Sequence, residues 1–520
     1  MSVESRTEAA PVTPSVRLGA KHVGVAEIAA IADGMPIVLD EAGLERVSAS
    51  HNHIRQAMES GQAIYGLTTG VGDLYSVTLR PDEIARAQLN MLKSHASGVG
   101  EPLSRRNVRA IMAAQLVAFL QGFSGISRLL VTTMVEMLNR GVTPWAPISG
   151  SVGYLIATSH IGLSIFGHGR SWFEGELLPG AEALRRAGIA VNDPGPREGH
   201  ALISNAYEIT GLGALAVHQV ERLVELADVA GAMSIEALRG NTRGFDPRLH
   251  SMRPHVGQVA TAARLIDLLA DSAIMEANRD HRLQDALSLR CMPQVHGAAR
   301  DAIDYVKRII ETEIGSVTDN PVFVFEDNEL RALPGGNGHG APTAIALDFL
   351  AIAIASLSTI SQARSDRLTN HHMSGLPAFL ASGSGAHSGF MIPPYSAAGL
   401  AADNRMYAAP ATVHTVPTCA GQEDHVSMGV AAARKAMSAA ENLAGILSIE
   451  FLCAAEALEF HRPLRAGRGT GAALTEIREV VSPRDEDREM YPDLQAVRNL
   501  IDNGRLANAV SNALSSQTRL

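Results

Sequence analysis

LGALAVHQVERLVELADVAGAMSIEAL, residues 212–238, decides the fold class. Val217, Val220, Val224 and Ala227 recur at spacings of three and four, which places them on one face of a helix. Ala and Gly are frequent along the stretch, so neighbouring helices can approach closely. The same period returns in 105–139, where glycines at 122 and 125 interrupt it, and in 261–269, 299–313, 341–367 and 427–458. Several long Ala-rich helices in succession predict a long helical bundle. There is no alternating strand series and no repeat of solenoid length.

Composition points the same way. Residues are 46% hydrophobic and 19% charged, as in a globular protein, and only 4% aromatic. Ala, Leu, Ile and Met carry most of the apolar content and favour helix over sheet. At 520 residues the chain exceeds what one core needs. The expected blocks are a flexible N-terminal arm (1–21), an N-terminal helical domain with active-site loops (22–205), a central long-helix bundle (206–470) and a C-terminal helical segment (471–520). A net charge of -10 argues against a nucleic-acid partner. Cys291, Cys419 and Cys453 have no paired spacing and predict reduced thiols. The N-terminus is polar, without an apolar signal core. The most apolar run, 344–360, is broken by Asp348, Ser356 and Ser358 and reads as a buried helix. A cytoplasmic protein with no membrane partner is expected.

Glycine-rich stretches at 66–72, 150–153, 335–340 and 383–389 fall between the helices. Such loops let backbone approach a ligand, and four of them in one helical array suggest a shared site. They lie among ordered motifs: Ala63-Ile-Tyr-Gly-Leu-Thr-Thr-Gly-Val-Gly72, Ser94-His-Ala-Ser-Gly-Val-Gly100, Pro147-Ile-Ser-Gly-Ser-Val-Gly153, Gln284-Asp-Ala-Leu-Ser-Leu-Arg-Cys-Met-Pro-Gln294, Thr318-Asp-Asn-Pro321, Gly335-Gly-Asn-Gly-His339 and Gln422-Glu-Asp-His-Val-Ser-Met428. Taken in this order, they make the chain resemble the aromatic amino-acid lyases and aminomutases, nearest to the histidine ammonia-lyases. The resemblance implies an all-α, ammonia-lyase/aspartase-like long helical bundle. It also implies a homotetramer whose active sites combine loops from three subunits and take a small amino-acid-like substrate.

It assigns roles residue by residue. Tyr65 matches the catalytic base; a free phenol has a pKa of about 10, so such a base needs help from neighbouring charges or dipoles. Arg290 matches the arginine that grips the substrate carboxylate, a task suited to a guanidinium fork. Asn205 matches an asparagine at the amino-acid end of the substrate, although Asn is also a common helix cap. His95 and Glu423 match residues that contact the imidazole ring in the histidine-specific branch, with Gln284 beside them. His371, His372 and His425 lack a supporting grid of ligands, so no metal is expected.

The family continues Gly-Ser-Val-Gly with Ala-Ser-Gly-Asp, and the Ala-Ser-Gly cyclises into a methylidene-imidazolone electrophile. Here Gly153 runs directly into Tyr154, so no cofactor is expected. Leu287 and Gly338 stand where the family has Tyr and Phe rings, which opens volume beside Tyr65. Ammonia is hard to expel without the electrophile, whereas a quaternary amine leaves readily. Tyr154 offers an aromatic face for such a cation. The expectation is therefore a prosthetic-group-free lyase of ergothionase type, releasing trimethylamine from a histidine-type betaine such as ergothioneine or hercynine. The alternatives are elimination, addition or cyclisation on another substrate in a specialised pathway, and a catalytically silent paralogue.

Overall fold

The computed structural model describes residues 14–59, 63–327, 329–381, 383 and 385–516. The chain is mostly helical. The glycines after residue 120 part Arg105–Phe119 from Arg128–Arg140. Tyr207–Ala237, Val256–Leu268, Met292–Ile314, Ala341–Thr369 and Gly429–Glu459 follow. Met292–Ile314 begins earlier than its apolar period suggests because Pro293 sits in the first turn, where its missing N–H costs nothing. The C-terminal pattern resolves into two helices, Met490–Asp502 and Arg505–Ser515, split at Gly504 with a left-handed φ of 78°.

Strands among the described residues are short. Val16–Leu18 pairs in parallel with Ile37–Leu39, so part of the expected arm is built into a sheet; residues 1–13 of that arm lie outside the described residues. Val99–Pro102 pairs antiparallel with Pro147–Ser149, which anchors the start of the 150–155 loop. Arg170–Phe173 lies between Thr143–Pro144 and Glu176–Pro179, and Val322–Glu326 forms a hairpin with Glu329–Leu333.

The chain forms two compact units. The first gathers the described residues up to 215 with 310–341 and 415–430. Its core holds Ile28, Ile31, Ile111, Leu116 and Phe119, and Phe119 meets Tyr207 edge to face at 5.9 Å. Buried Arg109 donates to the carbonyls of Ile31 (2.8 Å), Ala32 (3.2 Å) and Leu138 (2.9 Å). It thereby satisfies the C-terminal carbonyls of two helices with a cation, the sign their dipoles favour.

Burial pushes the Glu313 carboxyl up to about 7 from an ordinary 4.5. A carboxyl whose folded pKa exceeds its unfolded value holds its proton more tightly when folded. Its contribution to stability is full below the unfolded value and is lost as pH rises through about 7. Glu313→Gln is therefore expected to stabilise the protein at alkaline pH, by on the order of 1 kcal/mol after solvent screening, and to change little in acid. Thermal unfolding of both proteins across that range checks it.

The second unit comprises 216–309, 342–414 and 431–520. Its interior carries a chain of buried charges. Glu450 accepts from Arg364 through Nε (2.5 Å) and Nη2 (2.9 Å), and from the hydroxyls of Ser234 (2.7 Å) and Ser361 (2.5 Å). Arg364 also donates to His296 Nε2 at 3.2 Å, which leaves His296 Nδ1–H to donate to Asp228 at 2.7 Å. Arg300 closes the far side of Asp228. Ala341–Thr369 and Gly429–Glu459 are long and apolar enough to cross a membrane, yet 67% and 72% of their most apolar windows are buried within the fold.

Candidate active site

The first unit contains a cavity of about 720 Å³, roomy for a small ligand. Tyr65, His95, Tyr154, Asn205, Gly338 and Glu423 all line it, and His200 joins them. Three of the four glycine-rich stretches reach it, through Gly72, through Tyr154 after Gly153, and through Gly335, Gly336 and Gly338. The fourth, 383–389, belongs to the second unit, and none of its described residues lines this cavity.

Tyr65 sits in a turn, and its phenolic oxygen accepts a hydrogen bond from the Gly72 amide at 3.1 Å. That bond strengthens as the oxygen gains negative charge. Gly72 is required there. Its φ is +57°, and a Cβ would lie 2.5 Å from the Cys419 sulfur.

His95 is the last residue of the helix Ile84–His95. Its Nδ1 lies 2.8 Å from the Met91 carbonyl. A carbonyl only accepts, so Nδ1 is the donor in this bond. Asn205 caps the long helix: its Oδ1 accepts from the Tyr207 amide at 3.2 Å and its Nδ2 donates to the Ala201 carbonyl at 2.8 Å. Glu423 accepts from the Thr418 hydroxyl at 2.8 Å. Burial first, and then the Glu423 charge, push the Tyr154 phenol up, so it stays protonated.

The loop carrying Tyr154 is fixed at several points. The Met428 amide donates to the Val152 carbonyl at 2.7 Å, and the Ser151 hydroxyl donates to the Tyr154 carbonyl at 3.0 Å. Gly153 packs so tightly that a Cβ would lie 2.2 Å from the Ser427 oxygen. Leu155 then enters the helix Ile156–Ile165 with a φ of 77°, a strained value for a branched side chain.

Behind Tyr65 lies a buried polar group that the sequence motifs did not single out. Arg197 is fully buried and donates to Asp319 at 2.6 Å, to the Pro321 carbonyl at 3.2 Å and to His200 Nδ1. The His200 ring meets Tyr65 edge to face, with centroids 5.5 Å apart. Burial, the Arg197 charge and then His95 hold His200 well below the usual histidine range, so its ring is neutral. Burial raises Asp319 to about 6, against the pull of Arg197. Asp319 stands inside the Thr318-Asp-Asn-Pro321 motif, which was the available signal for this cluster.

Gln284, Leu287 and Arg290 do not line the cavity. They belong to the second unit, on or just before the short helix Leu287–Arg290, and Leu287 is 62% exposed. Arg290 Nε is buried without a hydrogen-bond partner.

The aromatic amino acid lyase family profile matches residues 23–479. The chain belongs to this family. Histidine ammonia-lyase from Gloeobacter violaceus is 43% identical to this family member over 497 residues, covering 94% of the chain and 96% of the relative. The crystal structure of histidine ammonia-lyase from Trypanosoma cruzi superposes with a TM-score of 0.90 at 35% identity, covering 97% of each chain. An ergothionase from Treponema denticola superposes with a TM-score of 0.88 at 27% identity, covering 95% of this chain and all of that one. The balance of these likenesses overturns the expected trimethylamine elimination from a betaine. The near relatives of this aromatic amino acid lyase are histidine ammonia-lyases, and ergothionase is a more distant one.

Proposed function

We propose that the protein is a carbon–nitrogen lyase for a histidine-type amino acid, with histidine the first substrate to test. The observation that carries this is that Tyr65, His95 and Glu423 line one cavity, which we read as a base beside groups that address a ring. In this reading Tyr65 takes the β-proton and the ammonium group leaves as ammonia. The lone pair on His95 Nε2 accepts from the substrate's ring N–H. Arg290, Gln284 and Leu287 would come from a neighbouring subunit of a homotetramer, Arg290 to hold the carboxylate and Gln284 to address the ring.

The family's methylidene-imidazolone needs an Ala-Ser-Gly after Gly153, and the residues present do not fit it. Tyr154 follows Gly153 directly and lines the cavity where the group would begin. We therefore assign every step to side chains. This absence also favours a second reading, in which the same site performs elimination, addition or cyclisation on another substrate of similar shape.

The test is incubation with L-histidine while ultraviolet absorbance and ammonia are followed, with and without cyanide, which attacks electrophilic groups. A conjugated acid and ammonia in equal amounts, unaffected by cyanide, are expected. Inhibition by cyanide would refute catalysis by side chains alone. No product from histidine, with imidazole-bearing ligands still bound, would move the assignment to the second reading.

A further inference from the structure

We propose that His200 is a specificity-determining residue of this site: its Nε2–H donates to the unprotonated nitrogen of the substrate's ring while His95 accepts from the ring N–H. The inference rests on the reading of the cavity as a site for a histidine-type amino acid. Its basis is a pair of histidines whose Nδ1 atoms are held in opposite roles, as an acceptor in His200 and as a donor in His95.

A guanidinium has donors and no acceptor. The contact between Arg197 and His200 Nδ1 therefore makes Nδ1 the acceptor and puts the His200 proton on Nε2. Nε2 takes no other partner among the described residues, and His200 lines the cavity. In His95 the Met91 carbonyl enforces the reverse: Nδ1 is the donor, which leaves Nε2 to act as the acceptor in this proposal. The two rings thus offer one donor and one acceptor to the same space. A neutral imidazole presents one acceptor and one donor, which is the complement. A phenyl ring presents neither and would leave both histidines unpaired, a loss that discriminates strongly in a dry site.

The environment keeps His200 in this state. Arg197 is anchored by Asp319 and by the Pro321 carbonyl, and its guanidinium lies 5.5 Å from the centre of the Phe323 ring. The backbone at Arg197 adopts a left-handed φ of 73°, a conformation sustained by those contacts. On the other side the imidazole rests on Gly66, where a Cβ would lie 2.0 Å from Nδ1. The Glu423 carboxylate, which also lines the cavity, cannot replace His200 in this role, because a carboxylate accepts and the unprotonated ring nitrogen needs a donor. Since His200 lies against Tyr65, it takes the ring nitrogen next to the side chain, and His95 takes the remote one.

The experiment is calorimetric binding of imidazolepropionate and phenylpropionate, two unreactive acids of the same shape, to wild type, His200→Leu and His200→Gln. Wild type is expected to prefer imidazolepropionate by at least about tenfold. In His200→Leu that ligand should weaken by roughly 10- to 100-fold while phenylpropionate binding is unchanged. His200→Gln keeps an acceptor for Arg197 and an N–H for the ligand, and should recover most of the loss. Equal weakening of both ligands in His200→Leu would show a merely structural role and overturn the inference. So would imidazolepropionate binding at wild-type strength in that variant. A wild type with no preference for imidazolepropionate would refute the proposed substrate class, and His200 as its reader with it.

Discussion

Tyr65→Phe is expected to lower turnover by about 10²–10⁴-fold while imidazolepropionate binding stays near wild type. The phenyl ring preserves the edge-to-face contact with His200 at 5.5 Å. Only the oxygen is lost, and with it the acceptor for the Gly72 amide. One such bond contributes about 1 kcal/mol to stability, too little to unfold the chain. Two of its neighbours in the cavity cannot stand in as the proton acceptor. His95 offers a lone pair that the proposed substrate ring occupies, and the Tyr154 phenol is held protonated by burial and by Glu423. Steady-state rates and calorimetric binding on the same preparation separate the two effects. Undiminished turnover in Tyr65→Phe removes it as the base.

The largest effect on stability is expected from Glu450→Ala. This carboxylate is fully buried and takes four hydrogen bonds, two from Arg364 and one each from Ser234 and Ser361. Its removal strands the Arg364 guanidinium in a dry interior beside His296. Breaking one side of a buried ion pair typically costs about 3–5 kcal/mol, most of it from the charge left behind. Replacing both partners with apolar residues, as in Glu450→Leu with Arg364→Met, should therefore cost much less than the sum of the single changes. Denaturant unfolding of the two singles and the double variant measures this. Strict additivity would show that the two groups are not coupled.

The helices were legible because their period is set by local burial, and 212–238 needed no partner to be read. Their ends were less so, as at Pro293 and Gly504, where backbone rules override the apolar pattern. Loop motifs singled out Tyr65, His95, Tyr154, Gly338 and Glu423, and these line one cavity. Asn205 reaches the cavity too, but its amide is spent on capping Tyr207–Ala237, the role its residue type most often has. Arg290, Gln284 and Leu287 carry equally clear motifs and lie in the other unit, because a motif encodes local backbone and not its neighbours. His200 and Arg197 left no separate pattern. The significance of each depends on a partner distant in sequence, Tyr65 for the ring and Asp319 for the guanidinium.

The first unit draws on residues up to 215, then on 310–341, and finally on 415–430. During synthesis the walls bearing Tyr65, His95, Tyr154 and His200 emerge long before the one bearing Thr418 and Glu423. The nascent chain must hold the cavity unfinished while the intervening helices are made. Late, non-local closure of this kind slows folding and leaves apolar surface exposed for longer. A ribosome-stalled chain that ends before residue 415 should therefore bind chaperones and no imidazole ligand, and competence should arrive only after 415–430 has emerged.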